Sequence, residues 1–554
     1  MKNLLLLLLF YSFSFCSFGQ IKQSQAIDNI FSEWNKHDVP GGSFGIVKDG
    51  ELIYTKGYGI ADLEHGVEIT PSTLFDIGSI AKYFTAVCIL LLEEQGKLSL
   101  DDRIQKFLPD FPEYEANITI RHLLDHTHGI REYGSLKNLK GISGFNYTKS
   151  DVSYELIKRQ KGLNCLPGEE FIYGNSGYFL LGKIVESASG QSLRIFAQEQ
   201  IFGPLGMNNT HFHDNNKDVI KNHASSYSPK YGTDGFNNLI TRSVGGVKTN
   251  VKDLAIWDHN FYHNKLGKGD KLFIQKMQEE GLLTNGESTG HSLGLQKGSY
   301  RGLKIVESNG SFAGYLARIL RFPDENFSVI ILANRADADP RVKSFQVSDI
   351  LLKDKFASVS EKEEAKTDSP TNTKTSTSFA LNQLVGDYEV VPGRVAEITV
   401  KGDMLHVLQK WDGAAFPVIN TVGNSYQIPN TSIMELVFSE MESGYAQRLS
   451  ATLNGVEFLF KRKEKLDLPP LNLNDFLGSY YSSEIDASFL IFEEDEELQL
   501  KIAHYEPTKL SIYDFHNDAL FFDDGLLRFN RSKGSITGFE FDNGRVNNLK
   551  FKKM

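Results

Sequence analysis

Asp76-Ile77-Gly78-Ser79-Ile80-Ala81-Lys82 leads into an apolar run that reaches Leu92 with few polar interruptions. A run of this kind predicts a helix that is hydrophobic on all sides and therefore central and buried. Positions 79 and 82 are three apart and share a face of that helix. A lysine amine so placed can take the proton of the serine hydroxyl, which turns a poor nucleophile into an acylating one. In the first helical turn Ser79 also meets unpaired amides and the positive end of the helix dipole, both of which favour a developing oxyanion. The S-x-x-K spacing occurs once in the chain. Chance produces such a tetrapeptide easily in a chain this long, so its weight rests on the apolar context, which does not suit an ordinary surface lysine. A lysine in water keeps its proton to about pH 10.4, and service as a base near neutrality requires burial or a second cation. The apolar helix supplies the burial.

Two further stretches offer matching chemistry. Pro167-Gly168-Glu169 leads to Tyr173-Gly174-Asn175-Ser176-Gly177, after which a helical pattern begins. There the phenol of Tyr173 can relay a proton and the amide of Asn175 can bind a substrate carbonyl. Tyr262-His263-Asn264 repeats the tripeptide in a polar stretch with no Pro-Gly turn before it, and is read as chance. The third piece is Ser308-Asn309-Gly310-Ser311, ahead of two strand patterns. Gly310 permits close backbone approach, and the amide of Ser311 can complete an oxyanion hole with that of Ser79.

In this order the three pieces resemble the serine β-lactamase and penicillin-binding-protein superfamily, specifically the class C-like branch with its D-aminopeptidases, carboxypeptidases and esterases. Gly57-Tyr58-Gly59, Thr73-Leu74-Phe75, Gly96 to Asp102, Ile120 to Leu124 and Pro204-Leu205-Gly206-Met207 are similar to that branch as well. The resemblance spans about residues 26 to 356. It implies Ser79 as the acylated nucleophile, Lys82 and Tyr173 as a coupled base pair, and Asn175, Ser308, Gly310 and Ser311 as substrate contacts. One departure stands out: the branch usually has Lys or His where this chain has Ser308. Loss of that cation argues against β-lactam and carboxypeptidase activity and toward an ester or amide without a carboxylate at that end, unless Lys304 or Arg318 substitutes. The resemblance thus implies a serine hydrolase acting on D-aminoacyl, peptide or carboxylic esters and amides. The alternative is a decayed, envelope-associated protein of the same fold that only binds its ligand.

The pattern outside the motifs gives an α+β arrangement. Ser43 to Lys48 and Glu51 to Tyr54 flank Asp49-Gly50, a hairpin signal, and strand patterns return at Ala317 to Phe322 and Phe327 to Ala333. Helical patterns lie between, at Thr119 to Leu124 and Tyr178 to Ala188, and Asn250 reads as a helix cap. Strands at both ends with helices between predict one antiparallel sheet beside a helical part, the β-lactamase/transpeptidase-like fold that the resemblance implies. Residues 358–378, rich in Ser, Thr, Lys and Glu, read as a flexible linker. Beyond it Leu381 to Tyr388 matches Leu473 to Tyr480 at an offset of 92. The two copies, with turn signals such as Asn454-Gly455 and Asp542-Asn543-Gly544, predict two small antiparallel β-barrels or curled sheets, which the resemblance makes lipocalin-like. Tyr388, Tyr480 and Phe476 are expected in the barrel cores, and the modules are expected to cap the cleft and restrict substrate size.

The resulting division is a signal peptide at 1–19, a hydrolase domain at 20–357, the linker at 358–378, and β-modules at 379–465 and 466–554. Met1-Lys2-Asn3, the apolar Leu4 to Phe10 and the small-residue exit Ser17-Phe18-Gly19 predict export, periplasmic or secreted; Phe15 before Cys16 argues against a lipoprotein. The formal net charge of −11, one unit lower once Lys2 is removed, gives no footprint for nucleic acid or an anionic membrane. No segment beyond the leader approaches the roughly 20 apolar residues of a membrane span. Cys88 is expected as a small core residue. His122, His126 and His128 offer H-x3-H-x-H, but no carboxylate or cysteine set completes it, so neither a metal nor another cofactor is expected. The expected partner is a small-molecule or peptide substrate; oligomeric state is not legible.

Overall fold

Strand Gly42–Lys48 carries seven consecutive residues that are buried or nearly so, a pattern that requires cover on both faces and neighbours on both edges. In the computed structural model it has them. It pairs antiparallel with Glu51–Tyr58 on one side and with Phe327–Ala333 on the other, so the first and last strands of the region meet at the centre of one sheet. The full order is Glu280–Leu282, Ser288–Ser292, Leu295–Tyr300, Leu303–Phe312, Tyr315–Phe322, Phe327–Ala333, Gly42–Lys48 and Glu51–Tyr58, with every neighbouring pair antiparallel. Asp49 and Gly50 form the expected hairpin, both with positive φ. The structure describes residues 23–554 except 143–149, 216, 231–235, 239–245, 357–378, 392–393, 403, 411–414, 422, 429–433, 454–455, 464–471, 515–517 and 523–524. The signal-peptide and linker readings, and the Asn454-Gly455 turn, lie outside the described residues.

The Ala81–Glu94 helix is central as its composition requires: Ala81 through Leu92 are all buried, Cys88 among them. Each large aliphatic side chain so placed contributes about 1.5–3 kcal/mol of transfer free energy. The helix packs on the Ser176–Ser189 helix, and both share one hydrophobic cluster with the inner face of the sheet. Asn250 caps the Val251–Asn260 helix by accepting from Asp253 N at 2.9 Å. Among the described residues no helix is long and apolar enough to cross a membrane.

Beyond residue 378, eight strands from Gly386–Val391 to Val456–Lys463 close into a barrel. Nine strands between Gly478–Ser482 and Leu549–Lys553 form a curled row whose end strands, Thr508–Lys509 and Ser511–Asp514, are not paired to each other. The repeat is visible in atomic detail. Tyr388 OH donates to Leu384 O at 2.9 Å, and at the matching position Tyr480 OH donates to Phe476 O at 2.7 Å, all four residues being fully buried.

Candidate active site

The turn that carries Ser79 is built by three residues before it. Asp76 ends a short strand paired with Val247–Thr249, and its carboxylate accepts from Gly78 N at 2.8 Å and from the buried Lys248 ammonium at 2.7 Å. Gly78 adopts φ +50 and lies so close to Ser311 that a Cβ would stand 2.7 Å from the Ser311 amide nitrogen. Gly310 is tighter still, since a Cβ there would fall 1.9 Å from Ile77 O. The strand bearing Ser308 to Ser311 is thereby pressed against the turn bearing Ser79. Ser79 itself lies in a 3-10 turn, Gly78–Ile80, that runs into the helix, and not in the first α-helical turn. The tight glycine entry explains the difference, and a 3-10 turn places residues i and i+3 nearly in line.

Ser79 Oγ is the meeting point of the polar groups. Lys82 Nζ stands 3.1 Å from it, and Tyr173 OH donates to it at 2.8 Å. Lys82, only 8% exposed, also donates to Asn175 Oδ1 at 2.8 Å, and its amine lies 5.0 Å from the Tyr173 ring centre and 5.8 Å from that of Tyr178. Asn175 Nδ2 donates to Glu132 Oε1 at 3.0 Å, while Glu132 Oε2 accepts from Ser135 N at 2.7 Å. Glu132 therefore fixes which way the Asn175 amide faces and presents its oxygen to Lys82. All seven residues singled out from sequence, Ser79, Lys82, Tyr173, Asn175, Ser308, Gly310 and Ser311, line one cleft of about 1280 Å³.

The sequence resemblance extends across the whole of this frame. A family model for beta-lactamase matches residues 26–350, more than half of the chain. The chain belongs to the beta-lactamase family. It is 27% identical to Penicillin-binding protein 4* of Bacillus subtilis (strain 168), over 69% of this chain and 86% of that protein. It is 30% identical to Protein flp of Staphylococcus aureus (strain MRSA252), over 56% of this chain and 62% of that protein. In fold it is similar to the octameric penicillin-binding protein homologue from Pyrococcus abyssi, with TM-score 0.54, 24% identity, and 88% of this chain and 99% of that chain covered. It is also similar to the penicillin binding protein from Bacillus halodurans, with TM-score 0.51, 22% identity and coverage of 59% and 98%.

Where the family usually has a cation, Ser308 is buried and donates to Gly294 O at 3.2 Å. Neither candidate substitute from the sequence reaches it. Arg318 pairs across the strands with Asn309, so it lies on the other face of the sheet from Ser308, where it binds Glu307, Asn309 and Ser344. Lys304 is exposed and pairs with Asp324 at 3.4 Å.

The three histidines of the H-x3-H-x-H pattern are engaged in the scaffold. His122 Nδ1 accepts from Thr119 N, His128 Nδ1 from Ile130 N and His126 Nδ1 from Gly174 N. His126 also stacks against Tyr173 at 4.5 Å between ring centres and meets His291 edge-on at 5.4 Å. Burial first, and then neighbouring positive charge, holds His126 well below the usual histidine range; His291 falls to about 4 by burial and the Lys82 charge, and His128 to about 3 by burial and the charge of His122. These rings stay neutral, and His126 and His291 wall the phenol. The second copy of the tyrosine motif is structural: Asn264 Nδ2 donates to Leu266 O and Asp270 O.

Three cleft residues escaped the sequence reading: Glu132, His291 and Arg545. Glutamate is a rare helix cap, so Glu132 carried no local signal, and Arg545 follows Asp542-Asn543-Gly544, which reads only as a turn.

Proposed function

We propose that the chain is an exported serine hydrolase that acylates Ser79 with an ester or amide substrate. The observation that carries this reading is the single hydroxyl, Ser79 Oγ, within hydrogen-bonding distance of both Lys82 Nζ and Tyr173 OH in an open cleft. In the first step the Oγ–carbon bond forms, the carbonyl π electrons move to oxygen and the Oγ proton passes to the lone pair of the Lys82 amine. Main-chain amides of Ser79 and Ser311 receive the oxyanion. On collapse the carbon–nitrogen or carbon–oxygen bond breaks, and the leaving group departs with the electron pair. The proton reaches the leaving group through the Tyr173 phenol, which shares Ser79 Oγ with Lys82 and also lines the cleft. Water then attacks the acyl carbon by the same route in reverse, and the acid leaves as Ser79 regains its proton. D-Aminoacyl, peptide and carboxylic ester groups all fit this chemistry.

Purified protein exposed to a fluorophosphonate is expected to carry one adduct, on Ser79, by mass spectrometry. Ser79→Ala is expected to abolish it and Lys82→Ala to slow it about a hundredfold or more, the usual scale for a lost proton-transfer group. An unmodified wild-type protein that still binds peptide ligands favours the decayed-binding-protein reading instead.

A further inference from the structure

The cation missing at position 308 has a counterpart elsewhere in the cleft. Arg545 lies on the turn between strands Ser535–Asp542 and Leu549–Lys553 of the second β-module, and among the described cleft-lining residues it alone comes from beyond residue 357. Its guanidinium is 5.7 Å from the centre of the Tyr173 ring, within cation–π range. It is exposed at the rim of the cleft and makes no ion pair among the described residues, so its donors are unclaimed. Of the other cations that line the cleft, Lys82 donates to Asn175, Lys183 pairs with Glu186, Arg194 pairs with Asp214 and Asp218, and Lys137 is buried.

The placement of Arg545 is built into the scaffold through main-chain contacts. Its carbonyl accepts from Glu132 N at 3.0 Å and from Asn164 Nδ2 at 2.9 Å, while Asn164 Oδ1 accepts from Asn547 N at 2.7 Å. The buried Arg131 donates to Asn547 O and Asn548 O, both at 2.8 Å, and pairs with Glu484 at 2.7 Å. Glu132 and Arg131 are thus shared: one orients Asn175 beside Lys82, and both fix the turn that carries Arg545. The Arg545 side chain is left free to bind while its backbone is held.

We propose that Arg545 of the second β-module is the specificity determinant that receives a carboxylate on the substrate's leaving group. The assignment rests on the acyl-enzyme reading above for one step only. If Tyr173 delivers the proton to the leaving group, that group lies beside Tyr173, where the Arg545 guanidinium stands over the ring. A guanidinium presents paired donors matched to a carboxylate, a stronger and more directional recognition than an ammonium gives. The substrate class is therefore an acylated amino acid or peptide whose last residue has a free carboxylate. The loss of the usual cation at Ser308 becomes a transfer of that role to another module.

The test uses full-length protein and two matched substrates, an acyl-dipeptide with a free carboxylate and the same compound as its carboxamide, each in L and D forms. Wild type is expected to prefer the free acid, and Arg545→Gln to reduce the free-acid over carboxamide ratio of kcat/KM about tenfold or more, mainly through KM. Arg545→Lys is expected to restore part of the ratio. An unchanged ratio, or equal losses on both substrates, overturns the assignment. A second measurement does not need turnover: calorimetric binding of an N-acetyl amino acid to Ser79→Ala protein, with and without Arg545→Gln. About tenfold weaker binding in the double variant supports the carboxylate site even if fluorophosphonate fails to label Ser79, and equal binding refutes it even if labelling succeeds.

Discussion

The buried histidines of the catalytic region tie the chemistry of single residues to stability. An ordinary histidine takes a proton near pH 6.5, whereas folded His291 does so near 4 and folded His128 near 3, chiefly because burial denies the imidazolium its water. Above about pH 6.5 both folded and unfolded rings are neutral and the protein keeps its full stability. As the pH falls below that value the unfolded chain gains protons that the folded chain refuses, so stability declines through pH 4 and toward 3. Each such ring steepens the decline by up to about 1.4 kcal/mol per pH unit. His291→Gln is therefore expected to flatten the plot of unfolding free energy against pH between 6 and 4.5 by up to one proton, measured by urea titration at each pH; an unchanged slope counts against a buried neutral His291. Reading the histidines from sequence could show their spacing but not this role. A ligand set and a set of packed rings look alike until the Thr119, Ile130 and Gly174 amides are seen to occupy the three Nδ1 atoms.

Two elements, the Leu303–Phe312 strand and the 3-10 turn at Gly78–Ile80, meet with no room for a side chain between them. Gly310 is the critical position because a methyl group there would overlap Ile77 O, which belongs to backbone and cannot swing away. Gly310→Ala is expected to cost about 1–3 kcal/mol of stability, the usual range for overpacking. It should also slow Ser79 labelling, because separating the elements moves the Ser311 amide away from Ser79. A melting temperature and labelling rate both equal to wild type would contradict this account of the contact. The elements themselves were largely legible. Asp49-Gly50 announced its hairpin, the Ala81 to Leu92 run its buried helix, and the offset of 92 its two β-modules, because each is written in local turn chemistry or periodicity. What pattern cannot show is which distant element leans on which. Ser79 lies in a 3-10 turn because a strand more than two hundred residues later presses on Gly78, and Arg318 fails as a substitute cation because register puts it on the outer face.

At the scale of the molecule, the second β-module is bound to the catalytic region by a shared core. Leu136 and Leu139, from the Tyr133–Leu139 helix, belong to the same hydrophobic cluster as Phe476, Tyr480 and Phe551 of the module. That helix begins at Glu132, the residue that orients Asn175, so docking of the module and alignment of the cleft are mechanically joined. Deleting the module would expose these leucines and confuse loss of docking with loss of folding, which makes a point substitution the cleaner probe. Glu484 is the natural choice: it is buried, pairs with Arg131, and accepts from Lys161 N at 2.7 Å. Removing one partner of a buried pair leaves an uncompensated charge, at a cost of about 3–5 kcal/mol in the general case. Here Arg131 keeps its bonds to Gln160, Asn547 O and Asn548 O, so Glu484→Ala is expected toward the lower end of that range. The same variant loosens the turn that carries Arg545, and its preference for free-acid over carboxamide substrates should weaken alongside the fall in melting temperature. A destabilised protein with an undiminished preference would show that Arg545 holds its place without the Arg131–Glu484 pair, and that the turn is fixed instead by the hydrogen bonds of Glu132 and Asn164.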